Sequence, residues 1–133
     1  MKKKLQWLNI IELLKFCIGG GSAVLVDFIS YLMLKSILNL SVAKAFSYIL
    51  GAMIGFIINK FWTFQCKEFK LIEVLKYIVL YICSAAANTL VNKIVIIAFS
   101  NIVFAFLCAT GTSTIINFMG QKFFVFKKNY KKE

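Results

Sequence analysis

From Ile94 to Gln121 the chain carries no charged side chain at all, and a stretch of that kind has few places to fold. A bilayer core accepts about 20 apolar residues per helix, so this run is long enough to cross one, with only the Ser100-Asn101 pair offering a place to turn. Reading outward from it, four apolar runs emerge, at about 16–38, 42–63, 75–99 and 102–122. Their apolarity is continuous, whereas a membrane strand alternates polar and apolar over about 10 residues. Helices are therefore predicted. Across the whole chain 61% of residues are hydrophobic, and proline and histidine are absent. These features predict an all-α integral membrane protein, one membrane domain spanning 1–133 with four transmembrane helices. The first run follows Lys2-Lys3-Lys4 but holds Asp27 and has no small-residue cleavage pattern after it, so it reads as a retained helix rather than a signal peptide.

A formal net charge of +11 invites a nucleic-acid reading, yet the lysines sort by side of the membrane. Thirteen of them fall in the amino-terminal segment, the central loop or the tail, and three (Lys35, Lys44 and Lys93) lie near the opposite helix ends, where a long side chain snorkels outward. The positive-inside rule then puts both termini and the central loop in the cytoplasm, in a multi-pass protein of the cytoplasmic membrane. Orientation and attraction to anionic membrane lipid account for the charge, and no nucleic acid is expected.

The chain also repeats itself. Ile11-Glu12-Leu13-Leu14-Lys15-Phe16 matches Ile72-Glu73-Val74-Leu75-Lys76-Tyr77 at an offset of 61, which also places Asp27 on Asn88. At an offset of 62, Asn59-Lys60-Phe61-Trp62-Thr63-Phe64 matches Gln121-Lys122-Phe123-Phe124-Val125-Phe126. Two copies of a two-helix unit result, about 8–64 and 69–126. Because each copy holds an even number of helices, the copies run parallel, not inverted.

Catalytic machinery is not legible. The four cysteines are scattered and no histidine completes a metal site, so neither enzyme activity nor a cofactor is expected. What stands out is polar and small residues on single helix faces: Ser47, Gly51, Gly55 and Asn59 in the second run, Tyr81, Ser84, Asn88 and Asn92 in the third. Close helix packing explains most of the glycines. Asp27 is harder to absorb. About 11 residues into its span it falls mid-membrane, where a carboxylate costs about 2.5–3.5 kcal/mol, so it should face inward with a partner, either Tyr31 or Asn88. Lys60 and Lys122 fall at the cytoplasmic headgroup level, beside Trp62 and Phe124 and just after the amides Asn59 and Gln121. Snorkelling in an aromatic belt is one reading; donation by lysine and amide to a phosphate is the other.

Two helix pairs, each closing on N/Q-K-x-W/F-x-F, with Gly19-Gly20 seven residues ahead of Asp27, resemble the GtrA-like family of small four-helix membrane proteins. The resemblance implies translocation of a polyprenyl-phosphate-linked sugar for glycosylation of a surface polymer. It implies roles in substrate binding for Asp27, Asn59, Lys60, Trp62, Asn88, Gln121 and Lys122, with Phe124 where a second tryptophan is usual and lysine where arginine is usual. On that reading the lysines hold the phosphate, the polar stripe meets the sugar as it crosses, and Trp62 and Phe124 stack on it. Four helices are few to surround such a substrate, which favours a homo-oligomer. The alternatives are a scaffold that recruits a glycosyltransferase without transport and, less well supported by the lysine bias, a small proton-coupled exporter.

Overall fold

A computed structural model describes residues 10–126. Among them are four long helices, α1 (Ile10–Leu34), α2 (Leu40–Ile58), α3 (Leu71–Phe99) and α4 (Ile102–Gly120), and no strand. Helices α2 and α4 each run on into a π-helical turn, Asn59–Thr63 and Gln121–Val125. All four, with these turns included, are long and apolar enough to cross a membrane. The chain divides into two compact units, residues 1–67 with α1 against α2, and residues 68–133 with α3 against α4.

The first helix sits differently from the 16–38 expected. It begins six residues earlier, because Glu12 and Lys15 are accommodated in its first turns, and it stops at Leu34. Residues 35–38 form a turn closed by Leu38 N–H on Leu34 O at 2.8 Å. Asn39 then caps α2, its side chain accepting from Val42 N–H at 2.9 Å. Asn101 caps α4 in the same way, from Phe104 N–H at 3.0 Å, after Ser100 has turned the chain in the left-handed region. An amide oxygen at this position satisfies a helix N-terminus that would otherwise expose its donors. Helix α3 also starts earlier than 75, at Leu71, where Glu73 in the first turn accepts from the Lys70 backbone.

Both units are assembled on one rule. Along α2 and its π turn, Ala43, Ser47, Gly51, Gly55, Asn59 and Thr63 are all buried, spaced by four. A row of that spacing is the ridge by which two helices interlock. The matching row in α4, shifted by 62, opens with buried Ala105 and Ala109 and closes with buried Gln121 and Val125. Phe16 and Gly19 of α1, and Tyr77, Leu80 and Ser84 of α3, face these rows within their own units. The remaining surface is apolar and outward: Ile18, Leu25 and Phe28 on α1, Ile94, Ile97 and Phe99 on α3 are all exposed. Helices this apolar on their outer faces need lipid around them, and the protein is an integral membrane protein.

Where the units differ, they compensate. A Cβ on Gly19 would stand 3.0 Å from Ile58 Cγ2, whereas in the second unit the glycine has changed sides, and a Cβ on Gly120 would stand 2.3 Å from Leu80 Cδ1. Gly19 corresponds to Leu80, and Ile58 to Gly120. One large and one absent side chain share the same space in both. Gly120→Leu should therefore destabilise the fold by about 1–3 kcal/mol through overpacking, and Leu80→Gly in the same chain should restore much of the loss. Thermal unfolding in detergent checks this, and a double variant no better than Gly120→Leu alone would remove the complementarity.

Candidate functional site

The repeated motif sits on the π turns. In each turn the backbone closes one residue wider than an α-helix, with Phe64 N–H bonded to Asn59 O and Phe126 N–H to Gln121 O, both at 2.8 Å. Wider turns change which side chains share a face. Asn59, Lys60, Thr63 and Phe64 turn inward while Phe61 and Trp62 turn out; Gln121, Lys122, Val125 and Phe126 turn inward while Phe123 and Phe124 turn out. Asn59 Oδ1 accepts from Thr63 Oγ1 at 3.1 Å and lies where a Cβ on Gly19 would come within 2.7 Å, so this glycine makes room for the amide.

The motif lysines are thereby enclosed. Lys60 is 0% exposed and Lys122 5%, with their ammonium groups 5.7 Å from the Phe61 ring and 5.7 Å from the Phe118 ring. Neither reaches the surface in this arrangement, so neither snorkels to a headgroup as the first of the two readings had it. The cations available at that level are others. Lys15 Nζ lies 5.5 Å from the centre of the Trp62 ring, and Lys76 Nζ lies 5.1 Å from that of Phe124. Both lysines are half-buried, and both rings are exposed. A cation over an aromatic face is held by the ring quadrupole while keeping donors for another anion. The arrangement occurs once in each unit at the same register, and the Lys15/Lys76 match within the repeat was its only sequence signal.

Asp27 lies seven residues before the end of α1, about 10 Å from that end at 1.5 Å per residue, so it is nearer the hairpin than the mid-membrane position expected. Its partners also differ from those expected. Asp27 Oδ2 accepts from Lys44 Nζ at 2.6 Å, and Oδ1 from Ser47 Oγ at 2.6 Å. Lys44, expected to point outward, instead leans back to the carboxylate, with its ammonium 5.8 Å from the Tyr31 ring. Tyr31 thus contributes to the cluster through the cation. Gly51 allows the approach: a Cβ there would stand 2.7 Å from Ala23 O and 2.9 Å from Asp27 Cβ.

Asn88, the counterpart of Asp27, donates from Nδ2 to Ser113 Oγ at 3.0 Å, inside its own unit. Ser84 Oγ donates to the Ser113 carbonyl at 3.2 Å. The residues matching Lys44 and Ser47 are Phe106 and Ala109. At this level charge therefore joins the helices in the first unit and neutral hydrogen bonds join them in the second. Also in the second unit, Asn117 Oδ1 is buried and accepts no hydrogen bond, which leaves an acceptor for a hydroxyl donor.

A family model described as GtrA/DPMS, transmembrane domain, matches residues 15–126. No solved structure matches the chain.

Proposed function

Because the chain belongs to the GtrA/DPMS transmembrane-domain family, we propose that it carries a polyprenyl-phosphate-linked sugar across the cytoplasmic membrane, with both termini in the cytoplasm, and performs no covalent chemistry. The observation that carries this reading is the doubled cation and ring at one end of each unit, Lys15 over Trp62 and Lys76 over Phe124. A lipid-linked sugar presents three chemistries at once. Its phosphate sits among headgroups and pairs with an ammonium; its sugar has an apolar face that suits an exposed ring; its prenyl tail suits the apolar outer faces of the helices. Each cation and ring pair meets the first two together. Lys60 and Lys122 are enclosed with Asn59 and Gln121 on the π turns from which Trp62 and Phe124 face outward. Further along, Asp27, Ser47, Asn88 and Asn117 supply hydrogen-bonding groups within the two helix pairs. A second copy of the chain would complete the enclosure of the sugar.

The test is reconstitution into liposomes carrying a short-chain polyprenyl-phosphate sugar, with sugar accessibility read on each leaflet. Lys15→Gln with Lys76→Gln should slow transfer about tenfold or more, the loss of a charge-assisted contact at each site, while Lys70→Gln in the same central region should not. Transfer at the parental rate in the double variant would sink this assignment of the phosphate contact.

A further inference from the structure

The second unit is an internal control for the first. It makes the same pair of helices on the same four-residue ridge, yet at the level matching Asp27 it places Asn88, which with Ser84 is hydrogen-bonded to Ser113. An ion pair is therefore not required at this level of such a helix pair. Asp27 and Lys44 nevertheless stand in apolar helices, where charges are costly and mark sites of function. The lysine is also unlike a packed one: its side chain is 56% exposed, against 18% for Asp27. An ammonium that could reach the interface unaided is instead turned back onto a carboxylate.

We infer that Lys44 and Ser47 form a second binding site for a lipid-borne phosphate, at the hairpin end of the first unit, and that Asp27 occupies this site when the phosphate does not. The inference rests on the transfer reading above and extends it to the far side of the membrane. Lys44 and Lys60 are sixteen residues apart on one continuous helix, about 24 Å at 1.5 Å per residue, which approaches the roughly 30 Å of the hydrocarbon core. A phosphate released from the Lys15 and Trp62 level thus has a cation waiting near the opposite headgroup level. There Asp27 Oδ1 and Oδ2 engage the two donors a phosphate would use, Ser47 Oγ and Lys44 Nζ, each at 2.6 Å. The carboxylate acts as a competing anion. It keeps the site closed to abundant lipid headgroups and, as a phosphate leaves, returns to its place. The Tyr31 ring, 5.8 Å from Nζ, keeps the ammonium over the site in both states.

Competition predicts opposite signs for the two partners, which a packing role does not. The probe is farnesyl phosphate, titrated onto the detergent-solubilised full chain carrying Lys15→Gln and Lys76→Gln so that the other cations do not report. Asp27→Asn should tighten binding about tenfold by removing the competitor, Lys44→Met should weaken it about tenfold or more, and Lys44→Arg should retain it. The double variant Asp27→Asn with Lys44→Met reproduces the uncharged side chains at the matching level of the second unit, Asn88 and Phe106, and should stay folded without binding. Lys93→Gln should change nothing. Weakened binding in both Asp27→Asn and Lys44→Met, or no response in either, overturns the inference while leaving transfer from the other end intact. Failure of the wild-type chain to bind the probe at all would overturn the transfer reading with it. Phosphatidylglycerol in place of the probe separates the sources of phosphate: equal affinity for it would make Lys44 a general headgroup anchor and overturn the site as proposed.

Discussion

Asp27→Asn is expected to leave the protein folded in the membrane and to cut sugar transfer at least tenfold. The fold survives because Asn88 already occupies the equivalent place in the second unit, where its amide donates to Ser113. The released Lys44 is more than half exposed, at 56% of its side chain, and can extend to the interface, so the stability lost should be under about 1 kcal/mol. Transfer falls for a different reason. An amide cannot draw the ammonium away from a bound phosphate, so the phosphate leaves slowly. Two measurements check this: melting temperature in detergent, lowered by a few degrees at most, and transbilayer transfer, reduced. If transfer persists at the wild-type rate, Asp27 is a packing residue and the ion pair has no part in transport.

The largest structural effect is expected at Gly51. A side chain there meets Ala23 O at 2.7 Å and Asp27 Cβ at 2.9 Å, atoms of the opposing helix that no rotamer change can move. Gly51→Leu must therefore separate α1 from α2, at a cost of about 1–3 kcal/mol or more, and carry Lys44 and Ser47 out of reach of the carboxylate. Gly20 and Gly21 are the contrast, since a Cβ at either meets nothing within 4 Å. Leucine at Gly21 should be neutral or slightly stabilising, because glycine inside a helix costs roughly 1 kcal/mol. Resistance to thermal unfolding ranks the two. Equal stability of Gly51→Leu and Gly21→Leu would mean that α1 and α2 do not pack through this glycine.

The helices and the repeat were open to sequence reading because both depend on residue spacing along one chain. Ala43 to Thr63 and Ala105 to Val125 keep the same four-residue beat, and lipid-facing residues are apolar wherever they fall. The partner of Asp27 was not open to it. Pairing across helices depends on where α1 ends, and placing that end at 38 instead of Leu34 moved Asp27 to mid-membrane and left Lys44 with no neighbour. The motif lysines show a second limit. An α-helical count puts Lys60 on the boundary face beside Trp62, whereas the π turn carries Lys60 in and Trp62 out. Nothing in side-chain chemistry announces a backbone that closes five residues back. Lys15 and Lys76 were visible as matched positions in the repeat, but only the fold brings them over the rings. Glycine was legible as a mark of close approach at Gly51; that Gly19 and Gly120 are two halves of one exchange required knowing which residues face each other.

The central claim is that this chain by itself moves a polyprenyl-phosphate-linked sugar from one leaflet to the other. The direct measurement uses the purified wild-type protein, with no glycosyltransferase present, in liposomes whose short-chain lipid-linked sugar starts on a single leaflet. Accessibility to a membrane-impermeant sugar-oxidising reagent is followed from the other side. The account predicts that sugar becomes accessible there at a rate that scales with protein per vesicle, and that Asp27→Asn slows it. Sugar that stays on its original leaflet at every protein density, as in protein-free vesicles, would contradict the claim and leave recruitment of a glycosyltransferase as the better account.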